Sequence, residues 1–253
     1  MANSPIETHR FASFDGTELA WHETGQGRAV VLIHGYFSDA HTNWIKYGHA
    51  AAIAVEGYRV IMPDLRAHGH SARPHDPAAY PPDALADDGF ALLAHLGLTD
   101  YDLGGYSLGA RTTARMLARG AAPGKAIFAG MGLEGLTKAR RRTEHFRHIL
   151  TNLGQHVRGT PEWMAEAFLK TTKGDPVALL GILDTFVDTP AAAIAGFDLP
   201  ALVLSGVEDE DNGSHAALAD LLPQGVDRVI PGGHMSAVVQ PELGQEIARF
   251  LVS

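Results

Sequence analysis

The chain has 253 residues, with 20 Lys plus Arg against 29 Asp plus Glu, a formal net charge of −9 and no cysteine. The acidic balance argues against nucleic acid or an anionic membrane surface as a partner. The lack of cysteine excludes disulfides, thiolate metal sites and cysteine nucleophiles. Residues 1–14 hold no apolar core of signal-peptide length, and no apolar run approaches the ~18 residues of a membrane span. The expectation is a cytoplasmic protein with a single large core.

Two short strand-like segments open the chain, residues 8–14 and 17–22, with the turn pair Asp15-Gly16 between them. Residues 29–33 read Ala-Val-Val-Leu-Ile, a continuous β-branched run that suits a strand buried on both faces. A helix is expected over 43–56, ending at Gly57, then a buried strand over 58–62. Residues 66–82, rich in Gly, Pro and His, read as a loop. Asp83 is placed to cap a helix that Gly97 stops. A strand at 101–105, a helix at 108–119 and a strand at 125–129 follow. After residue 200 come a strand at 201–204, a helix at 214–222, a strand at 227–230 and a closing helix at 242–252.

Strands alternating with helices imply an α/β fold, a mostly parallel central sheet with helices on both faces. Residues 132–197 break the alternation. They contain no convincing strand and carry three steps, Thr160-Pro161, Asp175-Pro176 and Thr189-Pro190, that each place an N-cap residue before a first-turn proline. Phe146, Ile149, Leu150 and Leu153 follow helical spacing. The expected organisation is a core over 1–131, a helical cap insertion over 132–197 and the rest of the core over 198–253.

Gly105-Tyr106-Ser107-Leu108-Gly109 matches G-x-S-x-G between a strand and a helix. A sharp strand-to-helix turn exposes the serine hydroxyl at the carboxyl end of the sheet, beside a helix N-terminus that favours developing negative charge. Only small residues fit two positions to either side. A serine hydroxyl is a weak nucleophile until a base takes its proton. Of the 14 histidines, His234 lies in a loop after the last strand, at the edge where open α/β sheets bind ligands. The acid that orients it would come from the loop Val207-Glu208-Asp209-Glu210-Asp211. Asp209 and Asp211 both qualify on position. For the oxyanion, the N–H of Leu108 is the natural first donor. The N–H of Tyr36, or less directly Phe37, follows His34-Gly35 and supplies a second.

His34-Gly35, the segment from Asp64 to Ser71, Gly105 to Gly109, Gly206-x-x-Asp209 and Gly233-His234 occur in one order along the chain. In that order they resemble the α/β-hydrolase superfamily, in particular its serine-nucleophile, esterase-like members with a helical cap. The resemblance implies Ser107 as nucleophile, His234 as base and Asp209, three residues after its glycine, as acid. It also implies an insertion that covers the site. The segment from Asp64 departs from the family's usual Asp-x-Arg-Gly-x-Gly-x-Ser in having Ala67 at the first glycine. Dehalogenase and epoxide-hydrolase relatives carry an aspartate where this chain has Ser107.

The expected reaction is cleavage of a small carboxylic ester or lactone through an acyl-enzyme. Carbon–carbon bond hydrolysis, cofactor-free perhydrolysis and ligand binding with little turnover are the alternatives. No cofactor and no metal is implied, and the expected partner is a small molecule. Phe37, Tyr106, Trp163 and Phe168 are candidate substrate contacts. The basic run of residues 138–142 reads as a solvated face, or as a positive rim for anionic substrates.

Overall fold

A computed structural model describes residues 5–253. The eight strands are β1 Glu7–Ala12, β2 Glu18–Thr24, β3 Arg28–Ile33, β4 Tyr58–Pro63, β5 Tyr101–Tyr106, β6 Ala126–Ala129, β7 Ala201–Gly206 and β8 Gly225–Ile230. They form one sheet in the order β1-β2-β4-β3-β5-β6-β7-β8. β1 and β2 pair antiparallel through the Asp15-Gly16 turn, and β2 pairs antiparallel with β4. The remaining neighbours are parallel.

The apolar run of β3 is buried on both sides. Val30 and Leu32 pack into a layer with Ile53 of α1 His49–Ala54 and Leu243, Ile247 and Leu251 of α10 Pro241–Val252. Val31 and Ile33 face the opposite layer, with Leu85, Leu92 and Leu93 of α2 Ala84–Leu96 and Met116 of α3 Leu108–Ala118. Alternate residues of one strand thus serve two cores, which is why the run has no polar face.

Two helix starts differ from expectation. The helix expected over 43–56 is split into a π-helical turn, His41–Ile45, and α1. Gly48 between them sits at φ +83°, outside right-handed helical space. Asp83 does not cap α2 with its side chain. Its carboxylate instead takes both Nε and Nη2 of Arg115, at 2.7 and 2.6 Å.

Between β6 and β7 the chain runs through α4 Leu133–Thr137, α5 Thr143–Thr151, α6 Pro161–Thr171, α7 Pro176–Asp184 and α8 Ala191–Ile194. No strand interrupts this stretch among the described residues. Thr160 accepts from the Trp163 amide and Asp175 from the amides of Val177 and Ala178, so two of the three expected caps form. The third does not. Pro190 occupies the cap position of α8, and the Thr189 hydroxyl is buried with no partner among the described residues. The segment is tied to the loop after β3: Tyr36 donates its hydroxyl to the carbonyl of Leu179 at 2.7 Å, and Thr172 donates to the carbonyl of Phe37 at 2.7 Å. β7 leads, through a loop and α9 His215–Leu221, to β8.

Asp64, at the end of β4, holds the surrounding loops. One oxygen accepts from the Ala40 amide at 2.9 Å, and the other from the His70 amide at 2.8 Å and from His22 Nε2 at 3.0 Å. Burial by itself would raise its pKa, but these hydrogen bonds, that from His22 foremost, hold the carboxyl far below the usual range. A group that ionises more readily folded than unfolded adds stability that is complete above its unfolded pKa of about 4 and is lost as pH falls below it. Asp64→Asn is expected to lower Tm by roughly 5–10 °C at pH 7. In thermal melts from pH 7 to pH 2.5 the gap to wild type should close on the acid side of about pH 4.

Candidate active site

Ser107 stands between β5 and α3 with φ 54° and ψ −106°, a strained conformation for a residue with a side chain. Its surroundings impose the turn. The Ser107 amide donates to the carbonyl of Ala129 on β6 at 2.8 Å. A Cβ on Gly109 would stand 2.0 Å from the Ile33 carbonyl oxygen, and one on Gly105 would stand 2.5 Å from both that oxygen and the Gly109 carbonyl carbon. The two glycines therefore let α3 start directly against β3, with Ser107 on the crest.

His234 reaches the serine from the loop after β8. Its Nε2 lies 3.0 Å from Ser107 Oγ, and its Nδ1 lies 2.9 Å from Asp209 Oδ2. Asp209 cannot donate as a carboxylate, so Nδ1 carries the proton and Nε2 is free to accept from the serine hydroxyl. The carboxyl side chain of Asp209 is only 2% exposed, against 14% for the His234 ring. Its other oxygen accepts from the Asp211 amide at 3.1 Å. Asp211 turns away: its carboxylate is 3.2 Å from Arg142 Nη2, and its side chain is 45% exposed. Geometry thus separates the two acids that position alone leaves level.

Tyr106 was a candidate substrate contact, but its hydroxyl is committed to the His234 carbonyl at 2.6 Å and its ring lies against the imidazole. It braces the histidine loop. Phe37 is buried at φ 62°, stacked on the Tyr36 ring with centroids 4.3 Å apart. Phe146 of α5 meets both rings edge-on, and Phe186, after α7, meets Tyr36. These four rings form one aromatic wall between the loop after β3 and the helical insertion. Phe146 and Phe186 were not among the candidates. Trp163 and Phe168 are not part of this wall. Trp163 lies under the Arg158 guanidinium, 5.8 Å from its ring, and Phe168 packs on the main core. In the basic run, Arg140 donates to the Phe186 carbonyl and Arg142 pairs with Asp211, so two of its arginines are engaged with the protein.

Leu108 is the first residue of α3, where a backbone N–H has no intrahelical acceptor. Tyr36 follows His34-Gly35 at the end of β3. His34 is fully buried; its Nδ1 donates to the Gly35 carbonyl at 2.8 Å and its Nε2 accepts from the Leu65 amide at 3.0 Å. Burial pulls its pKa down, which suits an imidazole that must stay neutral to accept. Outside this site, potential ligand atoms of His22, Asp64 and His70, and of Glu7, His9 and Glu23, lie within 4.8 Å of one another. In the first group Asp64 is already occupied by the hydrogen bonds described above.

Residues 28–131 match the family model for the α/β-hydrolase fold. A non-heme chloroperoxidase from Kitasatospora aureofaciens is 40% identical over 117 residues, which are 46% of this chain and 38% of that protein. An epoxide hydrolase from Caballeronia sordidicola is 38% identical over 96 residues, 38% of this chain and 28% of that protein. The chain thus spans well under half the length of these curated relatives. The structure of a thermophilic esterase from Thermogutta terrifontis, with malate bound, superposes with a TM-score of 0.73 at 27% identity, covering 97% of this chain and 98% of that one. With the sheet order and the sharp turn at Ser107, these likenesses show the α/β-hydrolase fold.

The Gly109 contact offers a direct check. Gly109→Ala forces a methyl into the Ile33 carbonyl, and neither backbone can yield without moving α3 off the sheet. The variant should lose at least about 2–3 kcal/mol of stability, read as a lower midpoint in urea unfolding. A midpoint equal to wild type would show that the turn is looser than described.

Proposed function

We propose that the protein is a serine hydrolase that cleaves a small carboxylic ester or lactone through an acyl-enzyme on Ser107. The observation that carries this reading is the continuous hydrogen-bond chain from Ser107 Oγ through His234 to a buried Asp209. His234 Nε2 takes the hydroxyl proton as Ser107 Oγ attacks the acyl carbonyl. Asp209 stabilises the imidazolium that forms. The tetrahedral oxyanion is held by the N–H groups of Leu108 and Tyr36, the first at the positive end of α3. The imidazolium then gives its proton to the leaving alkoxide. Water, deprotonated by the same imidazole, releases the acid and restores Ser107. In this reading the helical segment over 132–197 is a cap whose rings bound the acyl or alcohol pocket, and no cofactor takes part.

The 40% identity to a protein named as a chloroperoxidase favours one second reading. Hydrogen peroxide instead of water would attack the same acyl-enzyme and release a peracid. Product analysis with and without peroxide separates the two.

Hydrolysis of p-nitrophenyl acetate, butyrate and octanoate by wild type and Ser107→Ala is the primary test. The alanine variant is expected to lose at least about 10³-fold in kcat; equal rates in both proteins would remove Ser107 as the nucleophile. Asp209→Asn should lower kcat far more than Asp211→Asn, since only the former leaves His234 in the wrong tautomer. The reverse ranking would transfer the acid's role to Asp211.

A further inference from the structure

Arg111 is a buried cation without a carboxylate. It is 6% exposed, and no Asp or Glu oxygen lies within 4.0 Å of it among the described residues. Among the described residues its side chain makes one hydrogen bond, from Nε to the carbonyl of Gly135 at 3.1 Å. The other deeply buried arginine, Arg66, shows what this fold ordinarily does with such a charge. Arg66 is held by both oxygens of Asp88, at 2.7 and 2.6 Å, and by Asp15 at 3.1 Å. An unpaired buried charge is costly unless something compensates it.

The position of Arg111 says what that something is for. The Arg111 amide donates to the Ser107 carbonyl at 3.0 Å, so the two residues are one helical turn apart on the same face. A helical side chain leans toward the N-terminus of its helix, here toward Ser107. The guanidinium carbon lies 4.5 Å from the centre of the Phe186 ring, which meets Tyr36 in turn. Arg111 therefore sits where α3, the loop after β3 and the helical insertion converge. With Nε engaged by Gly135, the Nη groups keep their donors. Two charges bear on it from the insertion: Arg142, itself paired with Asp211, and Asp188. Burial, with the nearby Arg142, pulls its pKa down to about 10, against a smaller opposing effect of Asp188. It remains charged at neutral pH and lacks a counter-ion.

We propose that Arg111 is an anion subsite that receives a carboxylate carried by the substrate, so that the preferred substrates are esters or lactones of a dicarboxylic or other acid-bearing scaffold. The planar Nη pair suits a carboxylate. The Phe186 ring lies 4.5 Å from the guanidinium carbon and adds a cation–π contact that holds it in place. This inference rests on the serine-hydrolase reading for turnover but not for binding, and the experiment keeps the two apart.

Mono-p-nitrophenyl succinate and p-nitrophenyl butyrate have the same chain length and differ in a terminal carboxylate against a methyl. Wild type should favour the succinate in kcat/KM. The ratio of the two should collapse by about 10- to 100-fold in Arg111→Met, mainly through KM, with Arg111→Lys in between. A purely structural arginine would lower both substrates together and leave the ratio unchanged, which would overturn the proposal. Calorimetric titration of succinate into Ser107→Ala, and into Ser107→Ala carrying Arg111→Met or Arg111→Lys, reads binding without catalysis. Binding that the methionine abolishes and the lysine weakens supports the subsite even if no ester is turned over. Binding insensitive to residue 111, or no binding to Ser107→Ala, overturns it. If the methionine variant fails to fold, the lysine variant gives the same ratio and titration.

Discussion

The close approach of α3 to the end of β3 governs the rest of this molecule. Gly109 lies against the Ile33 carbonyl with no room for a methyl group. That contact forces the chain to turn from strand to helix within one residue, and Ser107 is the residue that takes the positive φ. Strain of this kind costs on the order of 1–3 kcal/mol and persists only where the surroundings over-determine it. Here they do: the Ser107 amide is bound to Ala129, and the first turn of α3 is bound back to the Ser107 carbonyl. The serine is presented at the carboxyl edge of the sheet because no relaxed conformation fits.

The loops that meet the serine are held by buried polar groups. Asp64 ties the loops after β3 and β4 to each other and to His22 of β2 with three hydrogen bonds, and the neutral His34 links the two loops through Gly35 and Leu65. Arg66 and Asp88 clamp the same loop to α2. Ala67 adopts φ 68° within it, a conformation that glycine takes without cost. The departure from the family's glycine is therefore accommodated by backbone strain, and the surrounding network is what tolerates it. Against this background of satisfied charges, Arg111 differs in having no partner of opposite sign.

The likenesses to known proteins divide along the chain. The family match spans 28–131, about two fifths of the chain, which includes the sharp turn at Ser107, while the insertion and the Asp209 and His234 loops lie beyond it. The relatives named as a chloroperoxidase and an epoxide hydrolase each match under half of the chain, under different reaction names. A shared sheet and turn thus constrain where chemistry happens more than which bond is cleaved. The aromatic wall and Arg111 are built at the junction with the insertion, and it is there that the proposed function places the choice of substrate.

The sequence by itself determined the strands, because a run such as residues 29–33 has no polar face to expose and only a two-sided sheet can bury it. It also marked the sharp strand-to-helix turn at Ser107, since glycine at 105 and 109 is a local requirement of a tight crossing. Position alone left Asp209 and Asp211 level, two residues apart on one loop, and only the resemblance favoured Asp209; which carboxylate faces His234 and which faces Arg142 is set by the fold. Nor could the sequence show that the Asp83 carboxylate serves Arg115 instead of its own helix, or that Tyr106 braces the histidine loop. Arg111 was visible as a basic residue four positions after Ser107. That it is buried without a carboxylate, beneath Phe186 from a segment 75 residues away in the chain, is a fact of packing. Local propensity reads periodicity and turns; pairing of charges and rings across distant segments exists only once the tertiary structure brings them together.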